Sequence, residues 1–244
     1  MKECLVVIPT YNEASTAPVL ITSLLVAIPG VNILIVDDGS PDGTGELCDE
    51  IARGDSRVQV LHRQGKQGLG AAYLAGFSWS LSRNYSHIAE MDADGSHSPA
   101  DLVRMLEFLR HNPETDLIIG SRWVQGGGVA KWTLFRKFLS LGANKYSRFV
   151  LRSSIRDLTA GFRIYKTSLL KEINLSQIES QGYCFQIEMA LRSAELGANI
   201  VEIPIIFLDR SDGVSKMSMR IVFEAIFRVT VWGFFNRFTF KKQV

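Results

Sequence analysis

Strand-length apolar runs recur through the first half of the chain, at residues 4–8, 33–36, 57–61, 87–91 and 116–119. Between them, apolar residues fall at helical spacing over about 14–27, 44–53, 70–82 and 99–111. The last of these opens on Ser98-Pro99-Ala100-Asp101, with a capping hydroxyl, a proline suited to a first turn and an acid that favours the helix dipole. Strands and helices alternating this regularly predict an α/β fold, a doubly wound, mostly parallel sheet. Ligands of such sheets bind outside the carboxyl ends of the strands. Three polar clusters fall at that rim: Pro9–Glu13, Asp37–Asp38 and Asp92–Asp94.

The run at 87–91 delivers Asp92 and Asp94. Two residues apart on an extended chain, both side chains point the same way. Like charges held together are costly unless a cation lies between them. Carboxylate oxygens suit Mg²⁺ or Mn²⁺, which are typically held by one or two carboxylates plus substrate phosphates. Alone, Asp-x-Asp is more often a solvated turn; its neighbours at the rim favour metal and diphosphate. The Rossmann glycine fingerprint and the Walker-type phosphate loop are both missing after the first strand, where Pro9-Thr10-Tyr11-Asn12-Glu13 stands. A nucleotide here would be held by carboxylates and metal.

Charge divides the chain. Residues 1–121 carry 8 Lys/Arg against 16 Asp/Glu, and 122–244 carry 19 against 9. An acidic half that could hold metal is followed by a basic half suited to phosphates or an anionic membrane. The pI of about 8.4 is too modest for a nucleic-acid binder, and no nucleic-acid motif is visible. Cys4, Cys48 and Cys184 lack Cys-x-x-Cys spacing, which argues against a disulfide framework or zinc site and for a reducing compartment. The N-terminus runs straight into a strand, so no signal peptide is expected.

In the second half, Gly126-Gly127-Gly128 reads as a loop. Tracts at about 132–152 and 218–238 read as basic amphipathic helices, the first packing on the sheet or lying in a membrane interface, the second interfacial in preference to core, with charges that argue against a transmembrane span. A strand broken by Pro204 is expected over 200–207, followed by a polar loop with Arg210 and Lys216. Such cations could close over a diphosphate.

Together, Val7-Ile8-Pro9-Thr10-Tyr11-Asn12-Glu13, Val36-Asp37-Asp38-Gly39-Ser40-Pro41-Asp42-Gly43-Thr44, Gly68-Leu69-Gly70 and Met91-Asp92-Ala93-Asp94 resemble inverting glycosyltransferases of family 2 with the GT-A fold. Gly120-Ser121-Arg122, Asp157-x-Thr159-x-Gly161-Phe162-Arg163 and Gly182-Tyr183-x-Phe185-Gln186-Ile187-Glu188 narrow the likeness to polyprenyl-phosphate (dolichol-phosphate) mannosyltransferases. The resemblance implies one catalytic domain over 1–244, with a nucleotide- and metal-binding half at 1–121 and an acceptor half at 122–244. It places Pro9, Tyr11, Glu13, Val36 and Asp38 around the guanosine of GDP-mannose. Asp92, Ala93 and Asp94 would meet metal, diphosphate and sugar, with Arg122, Arg210 and Lys216 on donor phosphates. Arg136 and Ser140 would lie near the lipid phosphate. Where the family often has a glutamine metal ligand this chain has Ser96, a shorter one, so a bridging water or His97 could substitute.

The implied reaction moves mannose from GDP-mannose to a polyprenyl phosphate with inversion, using Mg²⁺ or Mn²⁺. A phosphate acceptor with a second pKa of about 6 needs no strong base, so Asp157 and Glu188 are expected to orient or to form ion pairs. The expected setting is the cytoplasmic face of a membrane, with the chain bound peripherally, with or without a membrane-anchoring partner protein. The alternatives are a polyprenyl-phosphate glucosyltransferase using UDP-glucose and, more distantly, a non-catalytic nucleotide-binding membrane adaptor. A nucleotidyltransferase would want the glycine-rich loop that is missing.

Overall fold

A computed structural model describes residues 2–178, 180, 182–209 and 225–234. The first half follows the alternation read from the sequence: β1 (Lys2–Thr10), α1 (Ala17–Ala27), β2 (Asn32–Asp37), α2 (Thr44–Gly54), β3 (Val58–His62), α3 (Leu69–Leu81), β4 (Tyr85–Glu90), α4 (Pro99–His111) and β5 (Leu117–Ser121). The Ser98 hydroxyl caps α4, accepting from the Ala100 amide at 3.2 Å. Then come β6 (Gly128–Val129), α5 (Leu134–Leu151), β7 (Arg163–Lys166), α6 (Thr167–Glu172), a 3₁₀ turn (Leu175–Gln177), α7 (Tyr183–Glu195), β8 (Ile200–Pro204) and β9 (Ile206–Phe207). Residues 225–234 are helical; the rest of the expected 218–238 tract lies outside the described residues. No described helix is long and apolar enough to cross a membrane.

Seven strands form one sheet in the order β3-β2-β1-β4-β7-β5-β8. All its pairings are parallel except those of β7, which runs antiparallel between β4 and β5. Both faces are covered, so the strands read as continuous apolar runs. Side-chain alternation divides them into two core layers. Leu5, Val7, Leu34 and Val36 pack with Tyr73 and Phe77 of α3. Cys4, Val6, Ile8, Ile33 and Ile35 pack with Ile21, Leu24, Leu102 and Met105 of α1 and α4. A methyl group on Gly76 of α3 would lie 2.4 Å from a Val7 methyl, so this glycine lets helix and sheet approach closely.

Two elements depart from the expectation. The glycine run at 126–128 does not remain a plain loop: Gly128 and Val129 pair in parallel with Ile206 and Phe207. The second departure is β7. Its Arg163 stands opposite Glu90 of β4, and both are fully buried. Arg163 donates to the Ala160 and Leu158 carbonyls, both at 2.9 Å. Glu90 accepts from Gln186 Nε2 at 2.8 Å. Burial lifts the Glu90 carboxyl from its ordinary 4.5 to about 7, against the pull of Arg163 and Gln186 and with repulsion from Asp92 adding to the rise.

Gly76→Val should lower stability by about 1–3 kcal/mol through overpacking against β1, read as a lower urea midpoint. Gly30→Ala, which meets nothing within 4 Å, should leave the midpoint unchanged or raise it. Glu90 binds its proton more tightly folded than unfolded, so its contribution is fully present below about pH 4.5 and lost as pH rises through about 7. Removing that titration with Glu90→Gln should make the variant gain on the wild type by roughly 3 kcal/mol between these pH values. Paired denaturant melts at pH 5 and pH 8 would show the difference; parallel curves would refute it.

Candidate active site

The carboxyl ends of β1, β2 and β4 place their polar loops on one rim. There the loops line a cavity of about 160 Å³ that brings together Pro9, Tyr11, Glu13, Asp38, Asp92, Ala93 and Asp94. Glu13 is fixed from two sides: its amide donates to Thr44 Oγ1 at the start of α2 at 2.9 Å, and its carboxylate accepts from Thr16 Oγ1 of its own turn at 2.8 Å. Asp38 is ion-paired with Arg63. Lys66 also lines this cavity, its ammonium 4.1 Å from the Tyr11 ring centroid. Lys66 is not among the residues expected from the sequence, although it stands two residues before the Gly68-Leu69-Gly70 motif. Val36 is different. It is fully buried in the α3 layer of the core and does not line the cavity, so its side chain cannot touch a nucleotide there.

The two aspartates are braced from behind. Tyr73, fully buried on α3, donates its hydroxyl to Asp92 Oδ1 at 3.0 Å. Burial first, then the charges of Asp92 and Glu90, push the Tyr73 pKa well up, so the hydroxyl stays a donor. The Asp92 amide donates to His97 Nδ1 at 3.2 Å, which places that ring's proton on Nε2. The His97 ring is stacked on Phe162 and edge-on to Phe207. With Nδ1 accepting and the proton on Nε2, neither ring nitrogen has a lone pair left for an ion, which runs against the expectation that His97 could replace a missing metal ligand. Ser96 is corrected too: fully buried, it turns both its hydroxyl and its amide to Asp94 Oδ1. It holds the carboxylate that faces the cavity and is not itself a cavity-lining ligand.

Among the described residues no group of three or more His, Cys, Asp or Glu could hold a metal. The donor set is two carboxylates at a cavity wall, with oxygens only. This set fits a hard divalent cation completed by diphosphate and water, and does not suit zinc.

A second cavity, about 380 Å³, opens between α5 and the helical residues 225–234. Its lining is largely apolar, but Arg122, Arg136 and Ser140 stand in it with Trp132. Arg122, expected on the donor phosphates, thus stands with the residues expected near the acceptor. Its fork grips Asp157, Nε to Oδ2 at 2.8 Å and Nη2 to Oδ1 at 2.7 Å, and Nη2 also reaches Thr159 Oγ1 at 2.8 Å. Burial alone would raise the Asp157 pKa; the guanidinium and its hydrogen bonds outweigh it and hold the carboxyl below its ordinary value. A carboxylate so held orients Arg122 and is no base. Glu188 pairs with Arg192 at 2.7 Å, the ion-pair alternative of the expectation. Arg210 and Lys216 lie outside the described residues.

The segment 157–163 links the cavities. Asp157 holds Arg122, Thr159 lines the second cavity, and a methyl group on Gly161 would lie 3.8 Å from Asp92 Oδ2. Because β7 runs antiparallel, the loop before it reaches the same rim as the loops after β4 and β5.

Residues 5–174 match the Glycosyl transferase family 2 domain. The polyprenol monophosphomannose synthase of Mycolicibacterium smegmatis is 52% identical over 96% of this chain and 88% of its own. The undecaprenyl-phosphate mannosyltransferase of Micrococcus luteus is 49% identical over 94% and 93%. Among solved structures, glucosyl-3-phosphoglycerate synthase of Mycobacterium tuberculosis, crystallised with Mn²⁺, UDP-glucose and phosphoglyceric acid, superposes with a TM-score of 0.69 at 17% identity, covering 93% of this chain and 80% of that one. A Pyrobaculum calidifontis mannosyltransferase in complex with GDP-Man and Mn²⁺ gives 0.58 at 13% identity, over 87% and 58%. These likenesses show the GT-A fold. With the match over most of its length and relatives near half identity, the chain belongs to glycosyl transferase family 2, among the polyprenyl-phosphate mannosyltransferases.

Proposed function

We propose that the chain, working as one domain, transfers mannose from GDP-mannose to a polyprenyl phosphate with inversion at the anomeric carbon. The observation that carries this reading is the pairing of two unlike cavities along 157–163, one walled by carboxylates, the other apolar with two arginines. What the two bacterial relatives are named for, mannose transfer to polyprenyl phosphates, supports it. Pro9, Tyr11, Glu13 and Asp38 would receive the nucleoside, with Lys66 beside Tyr11. Asp92 and Asp94 would hold Mg²⁺ or Mn²⁺, which when bound neutralises charge growing on the departing diphosphate. Arg122 and Arg136, with Ser140, would receive the acceptor's phosphate.

A phosphate monoester is ionised near neutral pH, its second pKa being about 6. One of its oxygens can attack the anomeric carbon directly, while the bond to the donor's phosphate breaks and its electron pair leaves with the nucleoside diphosphate. No proton has to move, so the residues' work is alignment and electrostatics. That agrees with an Asp157 committed to Arg122.

The membrane enters through the acceptor's tail. Leu134, Phe135 and Phe138 on α5, and Phe227 on the helical residues 225–234, are all well exposed, beside Lys131 and Lys137. An apolar face fringed with cations suits the interface of an anionic leaflet. The reading therefore includes peripheral attachment at the cytoplasmic face, alone or with a membrane-anchoring partner protein.

Purified protein given labelled GDP-mannose, Mn²⁺ or Mg²⁺ and a polyprenyl phosphate should carry label into the organic phase. Asp94→Ala should cut the rate on the order of 100-fold or more, the scale of losing one preorganised electrostatic contact. Label arriving faster from UDP-glucose would replace the donor in this reading. In vesicle flotation, Phe135→Ser with Phe138→Ser should lower partitioning to anionic vesicles at least about tenfold. A wild-type protein that does not float would remove the membrane part.

A further inference from the structure

The two arginines of the second cavity are held in different ways. Arg122 grips a carboxylate with no exposed surface, and the pair's side chains are 7% and 0% exposed. Arg136 donates from Nη1 to Asp209 Oδ1 at 2.7 Å, but those side chains are 20% and 35% exposed. An ion pair open to water is weak and exchanges readily, whereas a buried, multiply bonded one does not. Both guanidiniums also lie against one indole: Arg136 is 4.0 Å and Arg122 5.6 Å from the Trp132 ring centroid. Two cations gathered on one ring need an anion nearby, and Trp132 keeps Arg136 in place whichever anion it holds.

Asp209 is brought there by the backbone. β9 pairs with β6, and the Leu208 amide donates to the Ser96 carbonyl at 3.1 Å. The carboxylate is thus presented to Arg136, a wall residue of the apolar cavity, and both side chains of the pair keep access to water.

We propose that Asp209 is a displaceable stand-in for the acceptor's phosphate on Arg136. This rests on the reading of that cavity as the acceptor site. In the empty site the carboxylate satisfies Arg136 and keeps its fork aimed into the cavity. The incoming phosphate monoester takes its place, and when the mannosyl phosphodiester forms, the returning carboxylate competes for Arg136 and helps the product leave. Binding a phosphate too firmly in ground state and product alike gains nothing in the chemical step. Because the displacement is the same for either ligand, Asp209 weakens substrate and product by one common factor.

The test uses the full chain with a short-chain polyprenyl phosphate and the matching mannosyl phosphodiester, titrated calorimetrically. Asp209→Asn, with Asp209→Ala as a second variant, should tighten both ligands by a similar factor of roughly three to five, the scale of a partly exposed ion pair. Stronger binding is a result that a merely structural aspartate would not produce. Arg136→Gln is run alongside and should weaken both. If Arg136→Gln weakens binding while the Asp209 variants leave it unchanged or weaken it, the stand-in is overturned and the acceptor site survives. If Arg136→Gln changes nothing, the acceptor reading fails and takes the stand-in with it.

Discussion

Asp92 and Asp94 repel each other across a single residue, and much of the surrounding architecture serves to hold them there. Each carboxylate is gripped from the protein side: Asp92 by the Tyr73 hydroxyl, Asp94 by the hydroxyl and amide of Ser96. Those grips depend on packing further back. Tyr73 is placed by a helix that Gly76 lets close on β1, and the ring of His97 is wedged against Phe162 and Phe207. Two residues back on β4, Glu90 adds a third carboxyl in line; burial and the repulsion of Asp92 raise its pKa to about 7, and Gln186 and Arg163 face it from α7 and β7.

The other side of the site is built on the opposite sign with a different device. Arg122 is locked onto a carboxylate that water does not reach, so its direction is set before any ligand arrives. The antiparallel strand β7 makes this possible. In a sheet with only parallel strands, a loop preceding a strand lies on the edge away from the ligand. Reversing β7 lets 157–162 come to the rim beside the loops that follow β4 and β5, and one short segment then holds the arginine and passes beside the aspartate. Preorganised charges at a partly dry site do more than the same charges in water, because nothing has to turn round when the reaction starts.

What could be read from the amino acids follows the range of the forces involved. The runs at 4–8, 33–36 and 87–91 show because both faces of a parallel strand are apolar, and α4 shows because its cap is local. β7 escapes: Arg163-Ile164-Tyr165-Lys166 looks like a polar loop, since nothing nearby in sequence says that a buried Arg163 will face Glu90. The pairing of Gly128-Val129 with Ile206-Phe207 is hidden for the same reason. Residues of the first cavity could be named from their positions at strand ends. Val36 and Ser96 could not be told apart from true wall residues, because a difference of one step in facing decides whether a side chain meets solvent or core. That Arg122 also lines the second cavity, beside Arg136 and Ser140 of α5, does not show in the sequence either, because the packing of α5 against its loop decides it.

All the chemistry-bearing loops leave from one edge, and the other edge is correspondingly plain. There the turns into β2, β3, β5 and β8 are tied to one another by a few exposed contacts, such as Arg57 to the Pro29 carbonyl at 2.9 Å, Lys166 to the Pro113 carbonyl at 3.1 Å and the Asn199 amide to Asp116 at 3.0 Å. Exposed turns of this kind accept added residues with little loss. The molecule therefore has a working end and a graftable end: a fused module or an extra hairpin entering near 55, 113 or 198 would ride on the back of the sheet, leaving the front free to meet its lipid.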